Sequence, residues 1–328
     1  MTQTLTSVRA QHHLRREEDG TLHERKSAPA PAASTRSHTS VMPEGVLRLL
    51  DLKAGEIVVD ATAGLGGHSE AMLKAAPITL LALDADPAAV AATAARLKHF
   101  GSRAQVIEAN FRDLEHVLHK EKIKTIDKAL FDLGWNMTQL VSGRGFSFMH
   151  DEPLLMSYGK TPASGFTARE IVNTWEESVI ADALYGYGEE RYSRVIAKAI
   201  VARREIQPIE TTLELVEIIR DAVPASYRHS RLNPATRAFQ GLRIAVNDEL
   251  GSIEMGLTSA WKHLTPGGRI AVITFHSIED RAVKRLLLGF AKQNGRLLVK
   301  KPLVASREEV VQNAPSRSAK LRGIEKLS

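Results

Sequence analysis

Cysteine is absent from all 328 residues. Disulfides, thiolate zinc sites and cysteine-held iron–sulfur clusters are thereby excluded. Radical chemistry built on such clusters goes with them, as does attack on a pyrimidine ring through a thiolate adduct. No apolar run is long enough to span a bilayer. No secretory n-region and h-region pattern opens the chain, so a cytoplasmic protein is expected. Neither sign of charge dominates: 44 Lys and Arg face 38 Asp and Glu, a formal net charge of +6. That excess permits an anionic partner without requiring one. The 43% hydrophobic content suffices for one large or two ordinary domains.

The most informative stretch is residues 58–86, VVDATAGLGGHSEAMLKAAPITLLALDAD. It reads as apolar strand, Asp60, glycine loop, helix, second apolar strand and an acid at that strand's end, Asp84. Gly64, Gly66 and Gly67 let the backbone turn sharply and approach a ligand closely. The following helix offers free N–H groups at its first turn. Asp84 stands where a ribose with two hydroxyls would be held. Here too an absence is informative. A dinucleotide fingerprint needs a third glycine inside the helix, and that place is Ser69. No lysine follows the loop, which removes the P-loop reading. An adenosine ligand without phosphates remains, and S-adenosylmethionine fits that description. A purely structural strand–turn–helix is the competing reading.

Residues 1–37 are polar and end in SAPAPAASTRS, a composition that cannot bury a core, and are read as a disordered extension. From His38 onward, strands at 56–60, 78–84, 104–109 and 126–132 alternate with helices at 43–50, 68–76, 87–99 and near 113–120, which implies a parallel sheet with crossovers. Residues 142–235 lack strands and read as helices at 167–173, 179–185, 189–203 and 211–223, the last opened by the capping box Thr211-x-x-Glu214. One long helix is expected over about 236–264, then a strand over 264–276, a helix over 278–292 and a strand near 296–301. The expected architecture is α/β: a Rossmann-like sheet from 38–140 and 236–312, an all-helical insert at 141–235, and a basic tail at 313–328. Ligands bind such sheets at the carboxyl ends of the strands. That rule gathers the 61–68 loop, Asp84, the Asn110–Phe111 pair, Asp132 and His276 around one crevice.

In order along the chain stand HTSVM (38–42), DATAGLGGHS (60–69), ALDADP (82–87), ANF (109–111), FDLG (131–134), RGFSF (144–148), YGEER (187–191), NPATRAFQGLRIAVNDEL (233–250), PGGRIAVITFHSIEDR (266–281) and SRSAKLR (316–322). These blocks together resemble the bacterial 16S ribosomal RNA (cytosine-N4) methyltransferase family, over His38 to about Arg322. The resemblance implies an S-adenosylmethionine methyltransferase sheet with an inserted helical domain that recognises substrate. It also implies a partner, small-subunit ribosomal RNA or the assembled subunit. It places Gly66, Gly67 and His68 in the cofactor loop, Asp84 on the ribose, Phe111 on the adenine, and Asp132 and Gln139 as further cofactor contacts. Read as a residue, Phe111 alone also suits a core position, and His68 alone suits a helix cap.

Cytosine N4 is a poor nucleophile because its lone pair is delocalised into the ring. An acceptor holding one N–H would favour sp³ geometry and take up developing positive charge, and Asp132 is the candidate by position. A cofactor contact without a chemical part is the alternative, and the two are compatible. Candidate substrate residues are Trp135, Asn136, Arg237, His276 and Glu279; Trp135 suits either stacking on a base or packing against the insert. No metal ligand set is singled out. A basic set, Arg203, Arg204, Arg228, Arg231, Arg237, Arg243, Lys300, Lys301, Arg317, Lys320 and Arg322, would form a phosphate-binding rim. The chain also departs from the family. Trp135-Asn136-Met137-Thr138 replaces the usual Val-Ser-Ser-Pro, and Leu155 to Gly159 replaces a segment that usually carries Asp and Arg. A shifted nucleic-acid target, or RNA binding with little catalysis, therefore stays open beside the favoured activity.

Overall fold

The computed structural model describes residues 39–134, 137–140 and 142–328. The extension at 1–37 and the candidates Trp135 and Asn136 lie outside the described residues.

The first half follows the expected alternation: α1 (Pro43–Leu50), β1 (Ile57–Asp60), α2 (Gly67–Ala75), β2 (Thr79–Asp84), α3 (Pro87–Leu97), β3 (Ala104–Glu108), α4 (Leu114–Lys120) and β4 (Ile126–Asp132). Pro87 opens α3, and the Asp86 carboxylate caps it by accepting from Ala88 N. A short α5 (Met137–Leu140) precedes helices α6 (Ala168–Thr174), α7 (Glu177–Gly188), α8 (Ser193–Arg204), α9 (Thr212–Ala222) and α10 (Ala225–Arg228). At the head of α9 the Glu214 carboxylate accepts from Thr211 N at 3.1 Å. Glu189, expected to start a helix, instead ends α7 in the left-handed conformation (φ 51°), so α8 begins at Ser193.

The second half contains α11 (Ala235–Asn247), α12 (Glu249–His263), β5 (Leu264–Thr274), α13 (Ser277–Gln293), β6 (Gly295–Leu297), α14 (Arg307–Gln312) and β7 (Lys320–Lys326). Two expectations are corrected here. The single helix over 236–264 is two helices, broken at Asp248 with φ 42°. The basic tail carries β7, an interior strand paired antiparallel with β5 on one side and β6 on the other. Its charges are used internally, because Asp280 of α13 takes Arg322 at 2.7 Å and Lys320 at 3.2 Å.

The seven strands run in the order β3-β2-β1-β4-β5-β7-β6, and β1 to β5 are parallel. Strand order reverses between β1 and β4, which opens a crevice at their carboxyl ends. The register brings three acids to those ends, since Asp60 pairs with Leu130, Asp84 with Glu108 and Asp132 with Ile273.

The strands are apolar on both faces because both are covered. Val59, Leu81, Leu83, Phe131 and Val272 pack with Ile253, Leu257 and Leu287 of α12 and α13. Val58, Leu80, Leu130 and Ile273 pack with Leu50 and Met72 of α1 and α2 on the other face. Each such side chain contributes about 1.5–3 kcal/mol when fully buried. A third core joins Leu184, Ile196, Leu215 and Ile219 to Ala238, Phe239, Leu242 and Val246 of α11. The helical layer therefore takes in α11, beyond the boundary expected at residue 235. The other face of α11 presents Gln240, Arg243 and Asn247, spaced at three and four residues, to the crevice.

Candidate active site

A cleft of about 440 Å³ lies at the switch point. One wall is the β1–α2 loop. Gly64 N donates to Asp84 Oδ2 at 2.8 Å, and Thr93 of α3 donates to Gly64 O at 2.8 Å. Gly64 lines the cleft, and a Cβ there would enter open space. Gly66 caps α2 in the left-handed conformation (φ 77°) behind the cleft wall, while Gly67 and His68 line the cleft itself. A Cβ on Gly66 would stand 3.2 Å from Thr93 and Arg96. Gly66→Ala is therefore expected to cost about 1–2 kcal/mol from backbone strain. Because Thr93 also anchors Gly64, the same change should weaken donor binding; a thermal melt and titration calorimetry measure the two effects.

Asp84 accepts from Gly64 N and Asp86 N, both at 2.8 Å, and retains lone pairs for a ribose diol. Burial raises its pKa. Phe111 follows Asn110, whose carbonyl caps the next turn, and its ring meets Phe131 edge to face at 5.7 Å. Gly256 of α12 leaves room for that ring, which a Cβ would contact at 2.6 Å. Gln139 is buried at the cleft wall.

Asp132 ends β4. Its backbone N donates to Thr62 Oγ1 at 2.6 Å, and its Oδ2 lies 3.5 Å from His68 Nε2. Its Oδ1 is buried with no hydrogen-bond partner among the described residues. Burial, with Asp60 and Glu279 nearby, holds its carboxyl well above the usual range. A buried polar atom without a partner has a reason to meet a ligand group.

The opposite wall is a charged network that spacing alone does not show. Arg243, 8% exposed, bonds Glu249 twice, at 2.7 and 2.9 Å. Tyr158 OH donates to Glu249 Oε1 at 2.9 Å. Burial works against the charge on Arg243, but Glu249 and Tyr158 outweigh it. His276 Nδ1 accepts from Glu279 N at the head of α13, which leaves the ring hydrogen on Nε2, 3.0 Å from Glu279 Oε1. Burial pushes Glu279 upward, but His276, Arg243 and Phe275 N–H together hold its carboxyl below the usual range. Glu249, His276 and Glu279 lie close enough to suggest a metal site. Arg243 already supplies the cation, sitting on Glu249 and 3.3 Å from His276 Nε2.

The structure thus gathers Gly67, His68, Asp84, Phe111, Asp132, Gln139, His276 and Glu279 around one cleft. Arg237 is not among them; its guanidinium bonds Glu189 O at 2.9 Å. Other members of the expected basic rim are engaged within the chain. Arg204 bonds Val172 O and Trp175 O, Arg228 bonds Val223 O, and Arg243, Lys320 and Arg322 are ion-paired. Sequence reasoning missed the roles of Tyr158, Arg243 and Glu249.

S-adenosylmethionine fits this cleft. Asp84 would hold the ribose, Phe111 the adenine and the 61–68 loop the amino-acid side, while carboxylates outnumber cations around the cleft, as a cationic ligand requires. The family match and the sequence relatives agree. Residues 35–327 match the MraW methylase family. The Ribosomal RNA small subunit methyltransferase H of Carboxydothermus hydrogenoformans is 45% identical over 309 residues, covering 89% of this chain and 98% of its own. The protein of that name from Synechocystis is 44% identical over 292 residues, covering 88% and 93%. A solved rRNA methylase from Streptococcus thermophilus aligns with a TM-score of 0.42 at 13% identity, over 87% of this chain and 94% of that one. The chain belongs to the MraW methylase family, methyltransferases that use S-adenosylmethionine as methyl donor.

Proposed function

We propose that the protein transfers a methyl group to N4 of a cytidine in small-subunit ribosomal RNA. The observation that carries this reading is the Asp132 carboxylate, which presents a buried oxygen without a partner among the described residues, at the end of β4 in the cleft that suits the donor. When bound, the donor supplies an electrophilic methyl group on a cationic sulfur. The chain supplies alignment, which can be worth about 7–11 kcal/mol, and an acceptor for the proton that N4 must lose. Asp132 in its ionised form is that acceptor. Phe111 and Asp84 fix the adenosine, and the helical layer with α11 holds the RNA so that the unstacked base enters from the Arg243–His276 side. Relatives named as small-subunit ribosomal RNA methyltransferases support the substrate.

The 155–159 segment favours a second reading, a shifted target base. It is pinned to α11, because Asn247 Oδ1 accepts from Tyr158 N and Asn247 Nδ2 donates to Met156 O. It also delivers Tyr158, in place of the family's usual residue, to the cleft wall. Incubating undermethylated small subunits with the protein and labelled donor, then analysing nucleosides by mass spectrometry, separates the readings. Labelled N4-methylcytidine is expected. Label in another nucleoside would establish the shifted target, and no label despite donor binding would sink both.

A further inference from the structure

Positive and negative charge are unevenly divided around this cleft. The ends of β1, β2 and β4 carry Asp60, Asp84 and Asp132, and α13 adds Glu279. The groups facing them are few. From α2 come His68, 3.5 Å from Asp132 Oδ2, and Ser69, which donates to Asp60 Oδ2 at 2.6 Å. Among the described residues Asp84 is met by backbone N–H groups only, and its neighbour Asp86 is ion-paired with Arg144. From α11 comes Arg243, already committed to Glu249, and from the end of β5 comes His276, committed to Glu279. Asp60 is fully buried and, among the described residues, has besides Ser69 only Thr62 N at 3.3 Å. Asp60, fully buried, and Asp132, whose side chain is one-fifth exposed at the cleft, thus lie at the ends of adjacent strands with little cationic compensation among the described residues.

Neighbouring buried carboxylates resist joint ionisation. Burial holds Asp60 at about 6, and Asp132 is held well above its usual range partly by Asp60. The donor and its demethylated product share the adenosine and the amino-acid end; they differ in a methyl group and in one positive charge on sulfur. We propose that the Asp60–Asp132 pair senses that charge: it retains a proton against a neutral ligand and releases the proton to solvent against a cationic one.

The pair then discriminates donor from product by charge. It also leaves Asp132 ionised at the moment a base is needed. As the N4–C bond forms and the C–S bond breaks with its electron pair left on sulfur, Asp132 accepts the N4 proton, and loss of the ligand's positive charge restores its affinity for that proton. This last step rests on the role of Asp132 under Proposed function. The proton release does not, and it needs no RNA.

Calorimetry on the full chain at about pH 6.5, in two buffers of different ionisation enthalpy, counts the protons. Binding of S-adenosylmethionine should release roughly one half to one proton, and so should binding of sinefungin, whose ammonium replaces the methylsulfonium. S-adenosylhomocysteine should release almost none. The ratio of donor to product affinity should fall by up to about tenfold per pH unit as pH drops from about 7 to 5. Asp60→Asn should reduce the release and flatten the ratio, and the wild-type pH series stands alone if that variant does not fold. Equal proton release by donor and product, release by neither, or a ratio that is flat with pH would overturn the proposal.

Discussion

Asp132→Asn is expected to lower kcat by roughly 10²–10⁴-fold while leaving the melting temperature unchanged or raised. Asparagine keeps the shape of the side chain and removes the charge. The lost charge is the one that accepts the N4 proton, and the amide cannot replace it at neutral pH. The stability side follows from the same buried carboxyl. Its pKa in the folded chain lies well above 3.8, chiefly through burial. As pH rises from about 4, the unfolded chain loses this proton before the folded chain does, so stability falls through that window until the native group also ionises. Asparagine removes this term. The variant should therefore be more stable than wild type at neutral pH, with a shallower loss of stability between about pH 4 and 7. Thermal melts across that range, beside single-turnover rates on small subunits, check both halves. A variant that keeps its rate would leave Asp132 as a cofactor contact only.

The placement of the strand-end acids was the legible part of this chain. An apolar run that stops at an acid places that acid at the carboxyl end of a parallel strand, so Asp84 and Asp132 were found from pattern alone. The glycine loop was legible because Gly64 and Gly66 take positive φ, which glycine permits without strain. The Arg243–Glu249 pair was not. In an unbroken helix, residues six apart point about 120° away from each other. They meet only because the chain turns at Asp248, and neither glycine nor proline marks that turn. Strand β7 did leave a signal. Leu321 and Gly323 are buried while Lys320 and Arg322 turn toward Asp280, an alternation of period two. Counting Lys and Arg across those residues hid it, because strand charges with partners look like solvated tail charges in one dimension. Arg237 failed for a related reason: positive charge near a cleft does not fix which way a side chain turns, and the carbonyl of Glu189 claims this one.

Arg243→Met should cost about 3–5 kcal/mol and lower the melting temperature by roughly 10 °C. The pair it breaks is buried on both sides, with Arg243 and Glu249 8% and 7% exposed. Removing the guanidinium strands Glu249 as a buried charge whose nearest compensation is the Tyr158 hydroxyl. An exposed pair gives the contrast. Lys262 and Glu115 also meet within hydrogen-bonding distance, but in solvent, and Lys262→Ala should leave the melting temperature unchanged. The double variant Arg243→Met with Glu249→Leu tests whether the loss comes from the stranded charge. It should recover most of the stability, because two apolar side chains of similar volume replace a buried pair at little net cost. Activity should not return with it. The wall would then lack the guanidinium and its partner carboxylate beside His276, so the KM for the RNA should stay raised while the affinity for S-adenosylmethionine, held on the opposite wall, stays near wild type. Recovery of both stability and KM would make the network a structural strut; recovery of stability alone makes it part of the surface that reads the base.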